Sequence, residues 1–187
     1  MVVALVTDGK TPPRDRRAMI AALMEAHGDA VFGFCLRMVD DRQLAEDIKQ
    51  QVFLEAFRDL DGFEGRASPR SWLFGITSHR CLDAIKTQQR RSKLIESDEQ
   101  AVREFEAPAV DPIELLDHPC VMAALEGCLK RLSPDMRVTV LMRFLTELTY
   151  EEMAVLLEVS ADTLQMRVAR ALRVLRQCLE KKGWTGE

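Results

Sequence analysis

The last stretch of the chain carries side chains suited to reading or gripping a polynucleotide. At 100° per residue from Leu164, one apolar stripe collects Leu164, Val168, Ala171, Leu172, Leu175 and Leu179. Gln165, Met166, Ala169, Arg170, Arg173, Arg176 and Gln177 fall on the opposite side, with Arg167 on the flank. Arginine and glutamine hydrogen-bond guanine and adenine edges or hold phosphates. A cap from Ser160 or Asp162 next to Thr163 leaves free N–H groups and partial positive charge at the helix start, where a phosphate can sit. Other chemistry finds no support: there is no Gly-rich phosphate loop, paired-His metal motif or nucleophile elbow. The cysteines (Cys35, Cys81, Cys120, Cys128, Cys178) form no Cys-x-x-Cys pair, so plain buried thiols are expected, with neither a disulfide frame nor a zinc site. His79-Arg-Cys81 and His118-Pro-Cys120 are separate pairs, and no metal or cofactor is expected. A binding protein is expected, not an enzyme.

A helix that reads DNA needs others to aim it. Thr149-Tyr-Glu-Glu152 is a capping box that opens a helix bearing Met153, Ala154, Leu156 and Leu157, and a tight turn at Glu158-Val-Ser-Ala161 leads into the final helix. Two helices joined this way make a helix-turn-helix. On this feature alone, a dimeric repressor is one open reading. Upstream, Val121 to Leu132 holds another apolar stripe, and Ser133-Pro134 caps a helix with Val138, Leu141, Phe144 and Leu145. Nearer the N-terminus, helical spacing recurs through Met19–Met24, Val31–Val39 and Leu44–Leu60. A break follows at 61–67, and Ser68-Pro69 starts a helix with Trp72, Leu73, Ile76, Leu82 and Ile85. No stretch alternates like a strand, so the class is all-α, with two small helical domains.

The net charge of −4 arises entirely from residues 94–120, where eight acids face the single Arg103; the rest of the chain is slightly basic. That segment also holds Pro108, Pro112 and Pro119, the composition of a flexible acidic linker. A short helix from Asp111-Pro112-Ile113-Glu114 is compatible with it. The expected organisation is an N-terminal extension (1–17), a helical domain (18–93), the linker (94–120), the helix-turn-helix domain (121–182) and a tail (183–187). No run approaches the ~18 uninterrupted apolar residues of a membrane span, and the apolar start lacks a basic prelude. A cytoplasmic protein without membrane insertion is expected.

Two separate stretches resemble one family. Leu132-Ser-Pro-Asp-Met-Arg-Val-Thr-Val-Leu-Met-Arg-Phe144, Leu148-Thr-Tyr-Glu-Glu-Met-Ala154 and Thr163-Leu-Gln-Met-Arg-Val-Ala-Arg-Ala171 are similar to region 4 of extracytoplasmic-function sigma factors. Ala45-Glu-Asp-Ile-Lys-Gln-Gln-Val-Phe-Leu-Glu-Ala-Phe57, Phe63 and Ser71-Trp-Leu-Phe-Gly-Ile-Thr-Ser-His-Arg-Cys-Leu-Asp-Ala-Ile-Lys86 resemble their region 2. Both stand in the family's order. The resemblance implies a factor that binds the beta-prime and beta subunits of core RNA polymerase and directs it to promoters, usually held by an anti-sigma factor. The helix Glu46 to Arg58 would dock on beta-prime through Glu46, Asp47, Lys49, Gln50, Gln51 and Glu55, with Phe53 and Phe57 turned into the core.

For the minus-ten element the resemblance implies Phe63, Arg66, Trp72, His79 and Arg80 around an extruded base, although Trp72 also fits the apolar stripe. Lys86, Arg90, Arg91 and Lys93 would follow phosphates. Ser160, Asp162, Thr163, Gln165, Met166, Arg167, Arg170 and Arg173 would meet the minus-thirty-five element. Some positions depart from the family. Gln165 and Met166 stand where Lys or Arg and Ser are common, His79 where Asn is frequent, and Glu158 where Gly often makes the turn. A polymerase-binding protein without promoter recognition is therefore the second reading.

Overall fold

The computed structural model describes residues 16–63, 67–95, 118–146 and 148–184. Among them are seven α-helices: α1 (Arg16–Val39), α2 (Arg42–Asp59), α3 (Pro69–Ile95), α4 (His118–Leu129), α5 (Pro134–Leu145), α6 (Tyr150–Leu157) and α7 (Ala161–Lys181). Most of the acidic segment, with its Asp111 capping motif, lies outside the described residues, as does Arg66.

The helix starts are built locally, as the sequence motifs require. Asp41 accepts from the Leu44 N–H at the head of α2, and Ser68 accepts from the Ser71 N–H at the head of α3. Ser133 caps α5. Thr149 and Glu152 make the complete capping box of α6, each side chain on the other's backbone N–H. Ser160, not Asp162, caps α7. Each cap satisfies an N–H that would otherwise lack a partner and contributes about 1 kcal/mol.

Helices α1, α2 and α3 form a bundle around Leu23, Val31, Phe34, Ile48, Val52, Leu73 and Phe74, all essentially without exposure. Phe34 meets Phe74 edge to face at 5.7 Å. By length and hydropathy α1 could cross a membrane, but Leu23, Val31, Phe34 and Met38 spend its apolar surface on the bundle core. Thr77 and Ser78, buried in the middle of α3, donate to the carbonyls of Leu73 and Phe74 one turn back, so they pack without a polar partner from another helix.

In the C-terminal half, α4, α5 and α6 pack on α7. Its core comprises Val138, Met142, Met153, Leu164 and Ala171. Here one expectation fails. Cys128 in α4 and Cys178 in α7 form a disulfide, with Cα atoms 5.8 Å apart. The two cysteines are 50 residues apart in sequence and meet only where α4 crosses the end of α7, which no local spacing reveals. Cys35 and Cys81 are buried free thiols, as expected, and a hydrogen bond with Cys35, together with burial, holds the Cys81 thiol well above its usual range. The Cys120 side chain lies outside the described set.

The halves also touch each other. α3 packs against α5 and α6, and α1 against α5. The half-buried Arg137 of α5 donates to the Met38 carbonyl at the end of α1 (2.7 Å) and to the Lys130 (2.7 Å) and Leu132 (3.2 Å) carbonyls of its own half. Burial lowers its pKa, an effect partly offset by the nearby Asp40 carboxylate. Asp40 in turn pairs with Lys130 at 2.7 Å.

Closing a loop of this length removes about 4 kcal/mol of unfolded-state entropy. Treatment with a dithiol is therefore expected to lower the melting temperature of the full chain, and Cys128→Ser to lower it equally and abolish the dithiol effect. Thermal denaturation followed by circular dichroism checks this.

Candidate nucleic-acid interface

The turn before α7 sets how that helix is presented. Glu158 closes α6 in the left-handed conformation (φ 54°, ψ 38°), and its N–H bonds to the Ala154 carbonyl. Val159 then places Ser160 as the α7 cap, where its hydroxyl pairs with both the N–H (3.3 Å) and hydroxyl (2.8 Å) of Thr163. Ser160 and Thr163 thus satisfy one another at the helix start.

Beyond this cap Asp162, Gln165, Met166, Ala169, Arg170, Arg173, Arg176 and Gln177 are exposed, and Arg167 is half-buried on the flank. Leu164, Val168, Ala171, Leu175, Cys178 and Leu179 are buried, so the division of faces matches the sequence reading except at Leu172, which is 44% exposed. Arg176 lies 3.8 Å from Glu180. Arg167, Arg170 and Arg173 make no ion pair among the described residues. Their charge is left for an anion from outside.

The N-terminal bundle carries a second set of candidates. On α2, Asp47, Gln50 and Gln51 face outward. Glu46 pairs with Lys49 at 2.6 Å, and the Lys49 ammonium sits 5.5 Å above the Phe32 ring. Phe53 is buried and Phe57 half-buried under Arg16, in keeping with their core role.

Glu55 and Arg80, assigned to different partners by sequence, are bonded to each other across α2 and α3. That bond raises the Arg80 pKa. Around the pair an open groove of about 550 Å³ brings Asp47 and Gln51 of α2 together with Arg80, Asp83, Thr87 and Arg91 of α3. Two of the α2 candidates, Asp47 and Gln51, therefore share one groove with Arg80 and Arg91 of α3.

Phe63 and Trp72 stack at 5.0 Å, tilted by 38°, and both are half-buried. Lys86, Arg90 and Arg91 are exposed further along the same helix. A rise of 1.5 Å per residue puts Arg91 about 29 Å from Trp72, so a rigid rod fixes the spacing between aromatic pair and basic end. The Lys93 side chain lies outside the described set. His79 is exposed, yet its Nε2 donates to the Leu156 carbonyl of α6 at 2.8 Å.

Sequence reasoning missed Arg70, which donates to the Leu145 carbonyl (3.2 Å) and covers the Phe74 ring. It also missed Arg143, which bonds the Leu148 carbonyl (3.0 Å) and lies over Tyr150. The Arg70 acceptor lies 75 residues along the chain and has no local signature, whereas Arg143 bonds within the short connection from α5 to α6.

The family model Sigma-70 region 2 matches residues 23–91, and Sigma-70, region 4 matches residues 122–175. The chain belongs to the sigma-70 family, as an extracytoplasmic-function sigma factor. The sigma factor is similar to the ECF RNA polymerase sigma factor SigX of Bacillus subtilis, with 28% identity over 84% of this chain and 82% of that one. It is also similar to the RNA polymerase sigma-H factor of Pseudomonas aeruginosa, with 24% identity over 89% and 88%. Its fold matches that of the sigma factor RpoE of Bartonella quintana, solved in complex with the anti-sigma factor NepR, at TM-score 0.64, 21% identity and 86% and 96% coverage. As a sigma factor it binds core RNA polymerase and promoter DNA and catalyses no reaction of its own.

The left-handed Glu158 carries a backbone cost that glycine avoids, roughly 1 kcal/mol. Glu158→Gly in this sigma factor is expected to raise the urea midpoint of the helix-turn-helix by a corresponding amount, read by circular dichroism.

Proposed function

We propose that α2 docks on the beta-prime subunit through Asp47, Gln50 and Gln51, while the C-terminal half meets the beta subunit and the exposed face of α7 holds the minus-thirty-five element. The stacked Phe63 and Trp72, with His79, serve the minus-ten element, and Lys86, Arg90 and Arg91 follow its phosphates. Arg80, bonded to Glu55, shapes the groove between these surfaces. The observation that carries the reading is the row Arg167, Arg170 and Arg173, without an ion pair among the described residues, beside Gln165 on a capped helix-turn-helix. Each module alone is close to neutral. Affinity comes from joining two weak contacts through the polymerase, which raises the effective concentration of the second once the first has formed. The factor works in the cytoplasm, where core polymerase is, and an anti-sigma protein of the kind bound to RpoE in the related structure holds it inactive.

Two exposed residues, Gln165 and Met166, favour a second reading in which polymerase is bound without promoter selection. Run-off transcription with core polymerase separates the two. The chain is expected to produce specific starts on a genomic promoter pool. Arg170→Ala/Arg173→Ala is expected to reduce those starts at least tenfold while leaving polymerase binding unchanged. Binding without starts in the unmodified protein supports the second reading, and no binding overturns both.

A further inference from the structure

The outward face of α7 is not uniformly cationic. With 3.6 residues per turn, Asp162, Met166, Ala169 and Arg173 line up along its middle, and Gln165 and Arg170 flank that ridge on either side. Met166 is 54% exposed, so its thioether buries almost nothing within the chain. Ala169 is exposed beside it, one turn further on. The centre of the face is thus an apolar pair among polar neighbours.

This part of the ridge is unsuited to phosphates. Asp162 repels them, and neither Met166 nor Ala169 has a side-chain N–H or O–H to offer. The hydroxyls at the helix start are already engaged, because Ser160 and Thr163 bond each other at 2.8 Å. Gln165 and Met166 therefore stand among the first free side chains of α7. In a helix-turn-helix, residues near the start of the second helix meet base edges in the major groove. An apolar side chain is selective there, since thymine alone among the four bases presents a methyl group. The carboxamide of a glutamine matches N6 and N7 of adenine, the base with which thymine pairs.

We propose that Met166, backed by Ala169, reads the C5-methyl group of a thymine in the minus-thirty-five element, and that Gln165 reads an adenine beside it. The start of α7 selects A·T pairs, while Arg170 and Arg173 further along supply the cationic grip. This inference rests on the promoter-binding reading, and it gives the two residues that favour the rival reading a part in selection.

Replacing thymidine by deoxyuridine removes the methyl group and leaves base pairing intact, so the protein need not be altered to test the contact. Holoenzyme made from core polymerase and the full chain is bound to a promoter whose start run-off transcription has mapped. Deoxyuridine is placed singly at each thymine of the protected upstream duplex. One position is expected to weaken the complex about fourfold, the worth of one buried methyl group. Met166→Ser is expected to weaken binding to the thymine promoter by a similar factor and to be indifferent to deoxyuridine at that position, whereas Met166→Leu keeps the sensitivity. At a neighbouring adenine, 7-deazaadenine, which lacks the N7 acceptor, is expected to cost about fivefold with Gln165 and nothing with Gln165→Ala. A deoxyuridine scan without effect, or a protected upstream duplex without thymine, overturns the reading of thymine. So does an equal loss for Met166→Ser on both DNAs, which assigns Met166 to a protein contact. A deaza-adenine penalty that persists in Gln165→Ala removes Gln165 from the adenine. If the unmodified chain forms no promoter complex with core polymerase, the promoter-binding reading itself falls and this inference with it.

Discussion

The packing of α3 against four other helices is the constraint on which the rest of the molecule depends. α1 and α2 lie on one side and α5 and α6 on another. A helix surrounded in this way cannot present large side chains all round. Phe74 and Leu73 fill the bundle core, whereas Gly75 leaves room for α6 and the hydroxyls of Thr77 and Ser78 fold back onto their own helix. The same rod carries Trp72, His79, Arg80, Lys86, Arg90 and Arg91.

Electrostatics is distributed along the same lines. Several charges near the inter-helix seams are spent internally: Glu55 on Arg80, Asp40 on Lys130, Arg137 on three carbonyls. Arg167, Arg170 and Arg173 on α7 form no ion pair among the described residues. That division explains how a chain of net negative charge can present a cationic edge without a basic composition. Bridged pairs at the surface contribute little to stability.

Sequence alone showed what is local. The caps at Ser68, Ser133 and Thr149 and the burial pattern of α7 follow from hydrogen-bond chemistry and periodicity within a few residues. So does the Glu158 turn, whose left-handed backbone stands where a glycine would have been unremarkable. What could not be read were pairings across distance. Cys128 and Cys178 are separated by 50 residues, His79 and Leu156 by 77, and Arg137 and Met38 by 99. Each depends on the angle at which whole helices cross. Among the candidate site residues, exposure on α7 and α2 was legible from the wheel, while the Glu55–Arg80 bond and the engagement of His79 were not.

The bond between Cys128 and Cys178 changes the covalent topology of the C-terminal half. α5 and α6 lie inside a closed ring of chain whose two fixed points are α4 and the end of α7. α4 is also where residues 96–117 enter. A pull on α4 would pass through the sulfur atoms into α7, and the short α6 with its left-handed turn would lie off that path. A single backbone cut within the ring leaves both fragments attached. The end of α7 is thus covalently joined to the helix at which residues 96–117 arrive.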